Sequence, residues 1–408
     1  MAVKLEVATE TTELPGIRVA RADHLLAMKT SDRTKLTSFA RVRALRPLLD
    51  GAAKYGGRVM PRARLAWSLV CSLVTACTSS SYRGPVSAHF DGDRFENDPP
   101  GPTRGVSDLI RWQATASHTG WPDFVEWPPG SGPTRPPAAV HGDEVRVTWV
   151  NHSTVLVQMD GMNILTDPVW SDRVGPVSWI GPRRRHAPGV RFEDLPRIDA
   201  VLLSHDHYDH TDLPTLTRLA ARDAPTVVAG LGSGPVLESA GVSATKVVEL
   251  DWWDCRTIGG ARICALPAQH NSRRGLFDRN QALWVGYWIE TKAGSVYFAG
   301  DTAFGPHFEQ IRARMGAPCV ALLPIGAYLP RWFMRPMHMD PTDAVRAHDI
   351  LGARTSVAVH FATFDLADEG MYQPAGELGL ALAHRAHAPF LVPSFGEELV
   401  FRCTEQQR

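Results

Sequence analysis

The segment Ser204-His-Asp-His-Tyr-Asp-His210 puts three histidines and two aspartates into six positions, directly after the apolar run Ala200–Leu203. An apolar run of that length reads as a buried strand, so the cluster sits at a strand end. In extended chain, residues i and i+2 project to the same side, which lets His205 and His207 grip one cation. As the chain turns towards the helical spacing that begins at Leu213, Asp209 and His210 can address a second cation beside the first. Imidazole nitrogen and carboxylate oxygen suit zinc, and iron or manganese take the same donors. The alternative is a solvated polar loop with a chance histidine cluster.

Donors further along argue against chance, because each ends an apolar strand. Ile263-Cys-Ala-Leu-Pro-Ala-Gln-His270 supplies a histidine, and Val357-Ala-Val-His360 another. Val296-Tyr-Phe-Ala-Gly-Asp301 supplies a carboxylate after a glycine that allows a tight turn.

Around these sites the pattern alternates between strand and helix. Strands are expected at Val145–Val150, Thr154–Met159, Asn163–Asp167, Arg262–Leu266, Leu283–Glu290, Ser295–Ala299, Cys319–Pro324, Ser356–His360 and Phe390–Val392, with Met159-Asp-Gly161 as a hairpin turn. Helical spacing marks Leu213–Arg222, Pro306–Met315, Pro341–Leu351 and Ala375–His387. Strand-rich stretches with intervening helices in both halves predict an α/β fold, two sheets covered by helices in an αββα sandwich.

HxHxDH followed by spaced His, Asp and His resembles the metallo-β-lactamase superfamily of binuclear metal hydrolases. Within it the chain is similar to the N-acyl-phosphatidylethanolamine-hydrolysing phospholipase D family. The matching stretches are Leu165-Thr-Asp-Pro-Val-Trp170, Ile198-Asp-Ala-Val-Leu-Leu-Ser204, Glu249-Leu-Asp-Trp-Trp253, Pro324-Ile-Gly-Ala-Tyr328 and Pro330-Arg-Trp-Phe-Met334, within a similarity from about His89 to Glu398. The resemblance implies two Zn²⁺: one on His205, His207 and His270, the other on Asp209, His210 and His360, with Asp301 bridging. It implies a metal-bridging hydroxide that attacks phosphorus without a covalent protein intermediate. His338, in Met337-His-Met-Asp340, matches a further active-site histidine that could orient the phosphate or protonate the leaving group; a histidine bonded near the start of the Pro341 helix is the plainer reading. Gln269 either contacts substrate or satisfies backbone groups, and Ser204 is expected to cap or pack rather than attack. The chain departs from the family where tryptophan is expected, at Asn271 and at Phe361-Ala362, which puts the acyl or head-group preference in question.

The expected activity is therefore phospholipase D-type hydrolysis of a phospholipid such as N-acyl-phosphatidylethanolamine. Rival readings are a hydrolase of the same fold acting on a lactone or nucleotide phosphodiester, and a non-catalytic envelope lipoprotein used as a scaffold. With 43 Lys+Arg against 43 Asp+Glu in 408 residues, no basic excess points to a nucleic acid partner. Oligomeric state, including a homodimer, is left open.

The chain's first part differs from the rest. Of six lysines, four (Lys4, Lys29, Lys35, Lys54) fall within the first 54 residues, which marks residues 1–59 as an extension of different origin. Residues 60–76 carry Arg62, Arg64 and the apolar run Leu65–Ala76, and Val74-Thr-Ala-Cys77 resembles a bacterial lipobox. Cys77 is the expected lipidation site, placing the protein on a membrane surface of the bacterial envelope; without the signal it would be cytoplasmic. Removing residues 1–76 leaves 30 Lys+Arg and 37 Asp+Glu, a net charge of −7. Residues 77–140 form a Pro/Gly/Trp-rich arm expected to lie on the hydrolase domain, 141–408, through Trp112, Trp121 and Trp127, with a weak helix at Val106–Ala116. The six cysteines are too scattered to suggest a disulfide framework. Arg183-Arg-Arg185 could steer anionic head groups or be a solvated run. Trp252-Trp253 and Tyr328–Met334 suggest a membrane-facing mouth, with core packing as the alternative.

Overall fold

The computed structural model describes residues 82–102, 104–116, 120–275, 277–383 and 388–403. The extension, the signal-like segment and Cys77 lie outside the described residues.

Two seven-stranded sheets face each other. The first contains β1 (Glu144–Asn151), β2 (Thr154–Met159), β3 (Met162–Thr166), β4 (Ala200–Leu203), β5 (Thr226–Gly230), β6 (Val247–Leu250) and the final strand β14 (Glu398–Arg402), in the order β14-β1-β2-β3-β4-β5-β6. The second contains β7 (Cys255–Ile258), β8 (Ala261–Leu266), β9 (Gly286–Thr291), β10 (Gly294–Phe298), β11 (Val320–Pro324), β12 (Thr355–Val359) and β13 (Phe390–Leu391), in the order β13-β12-β11-β10-β9-β8-β7. Period-two alternation explains the layering. Val155, Val157 and Met159 of β2 enter the core between the sheets with Tyr287 and Phe298, Tyr287 Oη donating to Leu203 O across the gap. Leu156, Leu165, Val201 and Leu203 point to the outer side, where Leu216 and Leu219 of α2 (Leu213–Arg222) cover them. Helix α6 (Pro341–Leu351) covers the second sheet, its N-terminus capped by the Asp340 carboxylate, which accepts from Asp343 N at 2.8 Å. The β2–β3 hairpin turns on Asp160 and Gly161 at φ 49° and 81°, the double left-handed conformation of a type I′ turn.

The strand expected from Leu283 begins three residues later. Leu283 N donates to Leu231 O and Val285 N to Ser204 O, so this stretch bonds to the first sheet's loops before entering the second sheet's ladder. Helix α7 covers Gln373–Leu382, and residues 384–387 of its expected span lie outside the described residues.

The arm packs onto the body as part of one compact unit. Phe90 and Phe95 enter the main core, Trp112 on α1 (Val106–Thr115) stacks on Phe333 at 5.0 Å, and the Trp121 indole donates to Glu369 O. Trp127 is half-buried.

One expectation is corrected. The cysteines do form disulfides: Cys255–Cys264 joins directly paired residues of β7 and β8, and Cys319–Cys403 joins the start of β11 to the residue after β14, linking the sheets. Sequence separation hides both pairs, because strand register and sheet order bring them together. Of the two readings of the aromatics, membrane-facing mouth or core packing, the structure largely follows the second. Trp252 donates its indole N–H to Trp284 O, and Tyr328, Phe333 and Met334 are buried. Trp253 is half-buried under the Arg314 guanidinium. The exposed apolar residues include Val177, Trp179 and Ile180 instead.

Candidate metal centre

The predicted donors come from four strand ends at one edge of the sandwich. His205, His207, Asp209 and His210 follow β4, His270 follows β8, Asp301 follows β10, and His360 follows β12. Gly300 adopts φ 60°, and a Cβ there would stand 2.6 Å from Ser204 Cβ and 3.0 Å from Val285 O. Only glycine lets this chain bend into the seam between the sheets and deliver Asp301. His360 and Ala362 are also left-handed, at φ 59° and 54°, and His360 N is tied to His152 O at 3.0 Å. Backbone held there without glycine shows that the surroundings dictate the conformation.

Three nitrogens converge in one cluster. His205 Nε2 lies 2.9 Å from His207 Nδ1, and His270 Nε2 lies 3.3 Å from the same atom. Ligands of a tetrahedral zinc at about 2.05 Å would sit about 3.3 Å apart. The opposite ring atoms are engaged. His205 Nδ1 donates to Ser204 Oγ at 2.9 Å and His270 Nδ1 to Met337 O at 3.0 Å, which leaves each Nε2 as a lone pair facing inward. Burial, reinforced for His205 by neighbouring imidazoles, pushes His205 well below its ordinary value and His207 down to about 3, so both are in the neutral ligand form.

The second cluster is built around Asp301. Its Oδ2 lies 3.2 Å from His210 Nε2 and 3.0 Å from His360 Nε2, and 3.8 Å from His270 Nε2 in the first cluster. Asp209 Oδ2 stands 3.3 Å from His210 Nε2 and 3.6 Å from His360 Nε2. Asp301 thus touches both groups. Burial would raise its carboxyl, but the His210 and His360 imidazoles hold it well below the usual carboxylate range. His210 Nε2, His360 Nε2 and Asp301 Oδ1 are buried with no hydrogen-bond partner. Ligand-type atoms without partners, gathered within a buried seam, fit bound cations.

Two residues that the sequence did not single out hold this arrangement. Asp167, fully buried just after β3, accepts from Ser204 N at 2.7 Å, Ser204 Oγ at 2.6 Å and His210 Nδ1 at 2.6 Å. It fixes the His210 tautomer so that Nε2 faces Asp301. His152, in the β1–β2 turn, places Nε2 3.0 Å from Asp209 Oδ2. Ser204 is therefore a hydrogen-bond relay in the ligand scaffold. Gln269 follows the backbone-satisfying reading: its Nε2 donates to Asp98 O at 2.7 Å. His338 stands beside the clusters, its Nδ1 unpartnered and 3.8 Å from Asp301 Oδ2, its ring 5.1 Å from His270. Phe361, where tryptophan was expected, turns into the core and stacks on Trp149 at 4.7 Å.

This constellation has counterparts. The Beta-lactamase superfamily domain pattern matches residues 162–361. An uncharacterised protein of Mycobacterium tuberculosis is 39% identical over 296 residues, 71% of this chain and 77% of that one. The chain belongs to the metallo-β-lactamase superfamily. Among other members, the N-acyl-phosphatidylethanolamine-hydrolyzing phospholipase D 1 of Caenorhabditis elegans is 38% identical over 238 residues, 55% of this chain and 66% of that one. A metal-dependent hydrolase of Nitratidesulfovibrio vulgaris is 31% identical over 236 residues, 55% of this chain and 84% of that one. This metallo-β-lactamase-superfamily protein is a metal-dependent hydrolase, and its buried His/Asp cluster groups donor atoms that could hold metal.

Proposed function

We propose that this protein is a two-zinc phosphodiesterase that hydrolyses a phospholipid such as N-acyl-phosphatidylethanolamine, with D-type cleavage between phosphorus and the head group. The observation that carries the reading is the paired cluster, with Asp301 Oδ2 in contact distance of histidines from both halves. His205, His207 and His270 would hold one cation, Asp209, His210 and His360 the other, and Asp301 both. Such a pair supplies a water of lowered pKa and positive charge against phosphoryl oxygens. His338 Nδ1 is placed to hydrogen-bond a phosphoryl oxygen or the departing head group. The similarity to a named N-acyl-phosphatidylethanolamine hydrolase supports this substrate class.

A loop beside the centre supports a membrane surface as the working place. Val177, Trp179 and Ile180 are exposed, Trp179 to 73%. Arg173, Arg183 and Arg185 line a cleft of about 560 Å³ behind them, together with Asp123 and Asp365. Arg185 N donates to Thr363 O, three residues after His360, which ties this loop to the metal centre. The arginine run has split fates: Arg183 pairs with Asp172, and Arg184 is buried on the carbonyls of Val169 and Ser171. An exposed apolar tip suits insertion into a lipid surface, while Asp123, Asp172 and Asp365 balance the arginines behind it. Two disulfides support an oxidising compartment, which agrees with the lipobox-like Cys77 and an envelope location.

Mass spectrometry of lipids treated with the zinc-loaded protein tests the reading. Phosphatidic acid together with the N-acylated head group is the expected product pair. Diacylglycerol, or turnover only of a lactone or a nucleotide phosphodiester, would overturn it. No turnover of any of these, with His207→Ala behaving as wild type, would leave the scaffold reading.

A further inference from the structure

The His270 end of the metal centre is not held by the sheet. Strand β8 stops at Leu266, so the backbone N–H and C=O of His270 have no ladder partner. Both are taken by one side chain from the arm, 173 residues away in sequence. Asn97 Nδ2 donates to His270 O at 2.9 Å, and Asn97 Oδ1 accepts from His270 N at 3.0 Å. The same oxygen accepts from Trp284 Nε1 at 2.9 Å. The next residue of the arm holds the preceding residue of the loop, Asp98 O accepting from Gln269 Nε2 at 2.7 Å.

The arm is itself fixed at this point. Phe95 is fully buried, its N donates to Asn280 O at 2.8 Å, and its O accepts from Asn280 Nδ2 at 3.1 Å. Asn97 thus transmits a fixed position to the His270 backbone, while Met337 O fixes the ring through Nδ1. Main chain and ring together aim Nε2 at His207. Only a planar amide of this length supplies a donor and an acceptor side by side. Aspartate would offer two acceptors and face the His270 carbonyl with negative charge, and alanine offers neither. The superfamily match starts at residue 162, so this amide comes from outside the matched region.

We propose that Asn97 is a positioning residue of the metal centre, through which the N-terminal arm fixes His270 and completes the three-histidine cation site. This rests on reading the cluster as a metal site. The test compares the full chain with Asn97→Ala, Asn97→Asp, His270→Ala and, as a stability control, Leu351→Ala at a fully buried position at the end of the Pro341–Leu351 helix. Zinc affinities are measured by competition with a chromophoric chelator, together with Co²⁺ absorption bands and the thermal midpoint. Expected for Asn97→Ala is a loss of about 10- to 100-fold at one of two zincs, the range typical of residues that orient ligands. The other zinc should change less than threefold. His270→Ala should lose that same zinc. Asn97→Asp, which keeps the acceptor, should show the same selective loss and displaced Co²⁺ bands, while Leu351→Ala should lower the thermal midpoint and spare both affinities. Both zincs unchanged in the two Asn97 variants while His270→Ala loses one would overturn the positioning role alone. Equal weakening of both zincs, tracking the thermal midpoint, would overturn it too. His270→Ala that keeps both zincs would overturn the metal-centre reading with it.

Discussion

Replacing Asp167 by asparagine changes one atom and should disable one ligand. Asp167 is fully buried, and its Oδ1 accepts from Ser204 N while Oδ2 accepts from Ser204 Oγ and His210 Nδ1. In Asp167→Asn the amide oxygen must stay on the Ser204 N–H, which turns the amide NH₂ towards His210 Nδ1. That nitrogen must then accept, so the imidazole proton moves to Nε2, the atom that faces Asp209 and Asp301 at 3.3 and 3.2 Å. A protonated Nε2 cannot ligate. Losing such an orienting partner weakens metal binding about 10- to 100-fold, or about 1.4 to 2.7 kcal/mol. Chelator competition should show that loss at one zinc, with turnover recovering at high zinc. A variant that binds zinc within twofold of wild type would refute the reasoning.

Three further outcomes are expected. The double change Trp179→Ser, Ile180→Ser should weaken partition onto anionic phospholipid vesicles at least tenfold, since burying two such side chains contributes roughly 3 kcal/mol or more. Turnover of a soluble short-chain phosphodiester should be kept, and unchanged vesicle binding would sink the docking idea. Burial pushes His307 from 6.5 down to about 3. The unfolded chain therefore takes up a proton below pH 6.5 that the folded chain refuses, so this contribution to stability is full above 6.5 and falls as pH drops towards 3. Wild type should lose about 1.2 kcal/mol relative to His307→Gln between pH 7 and 5.5, measured by urea unfolding, and parallel losses would count against it. Finally, Cys319–Cys403 spans 84 residues and Cys255–Cys264 spans nine. Loop-entropy scaling gives about 4–5 and 2–3 kcal/mol, so Cys403→Ser should lower the thermal midpoint more than Cys255→Ser; the reverse order would contradict the scaling.

What the sequence revealed depended on how local each cause was. The ligand run at 205–210 was legible because strand-end geometry acts over a few residues, and the β2–β3 turn because Asp160-Gly161 dictates its own conformation. His152, Asp167 and Asn97 were not legible. Each is a single polar residue whose partner arrives from 57, 43 or 173 positions away, and nothing beside it signals the meeting. Strands β5, β6, β7 and β14 were missed because they gain their identity from neighbours in the ladder. The aromatics left two readings open for a related reason. Trp252 and Tyr328 are rich in membrane-seeking character but find buried neighbours, while Trp179 finds none.

Residues Glu144 and Arg402 are opposite one another in the β1–β14 ladder, one near the beginning of the hydrolase fold and the other almost at its end. During synthesis the outer edge of β1 therefore waits, unpaired, until β14 has been made. The Cys319–Cys403 bond must wait for the same strand. Completion of the first sheet and the covalent link between the sheets thus depend on one short segment, in which the finishing strand arrives together with the cysteine that locks it.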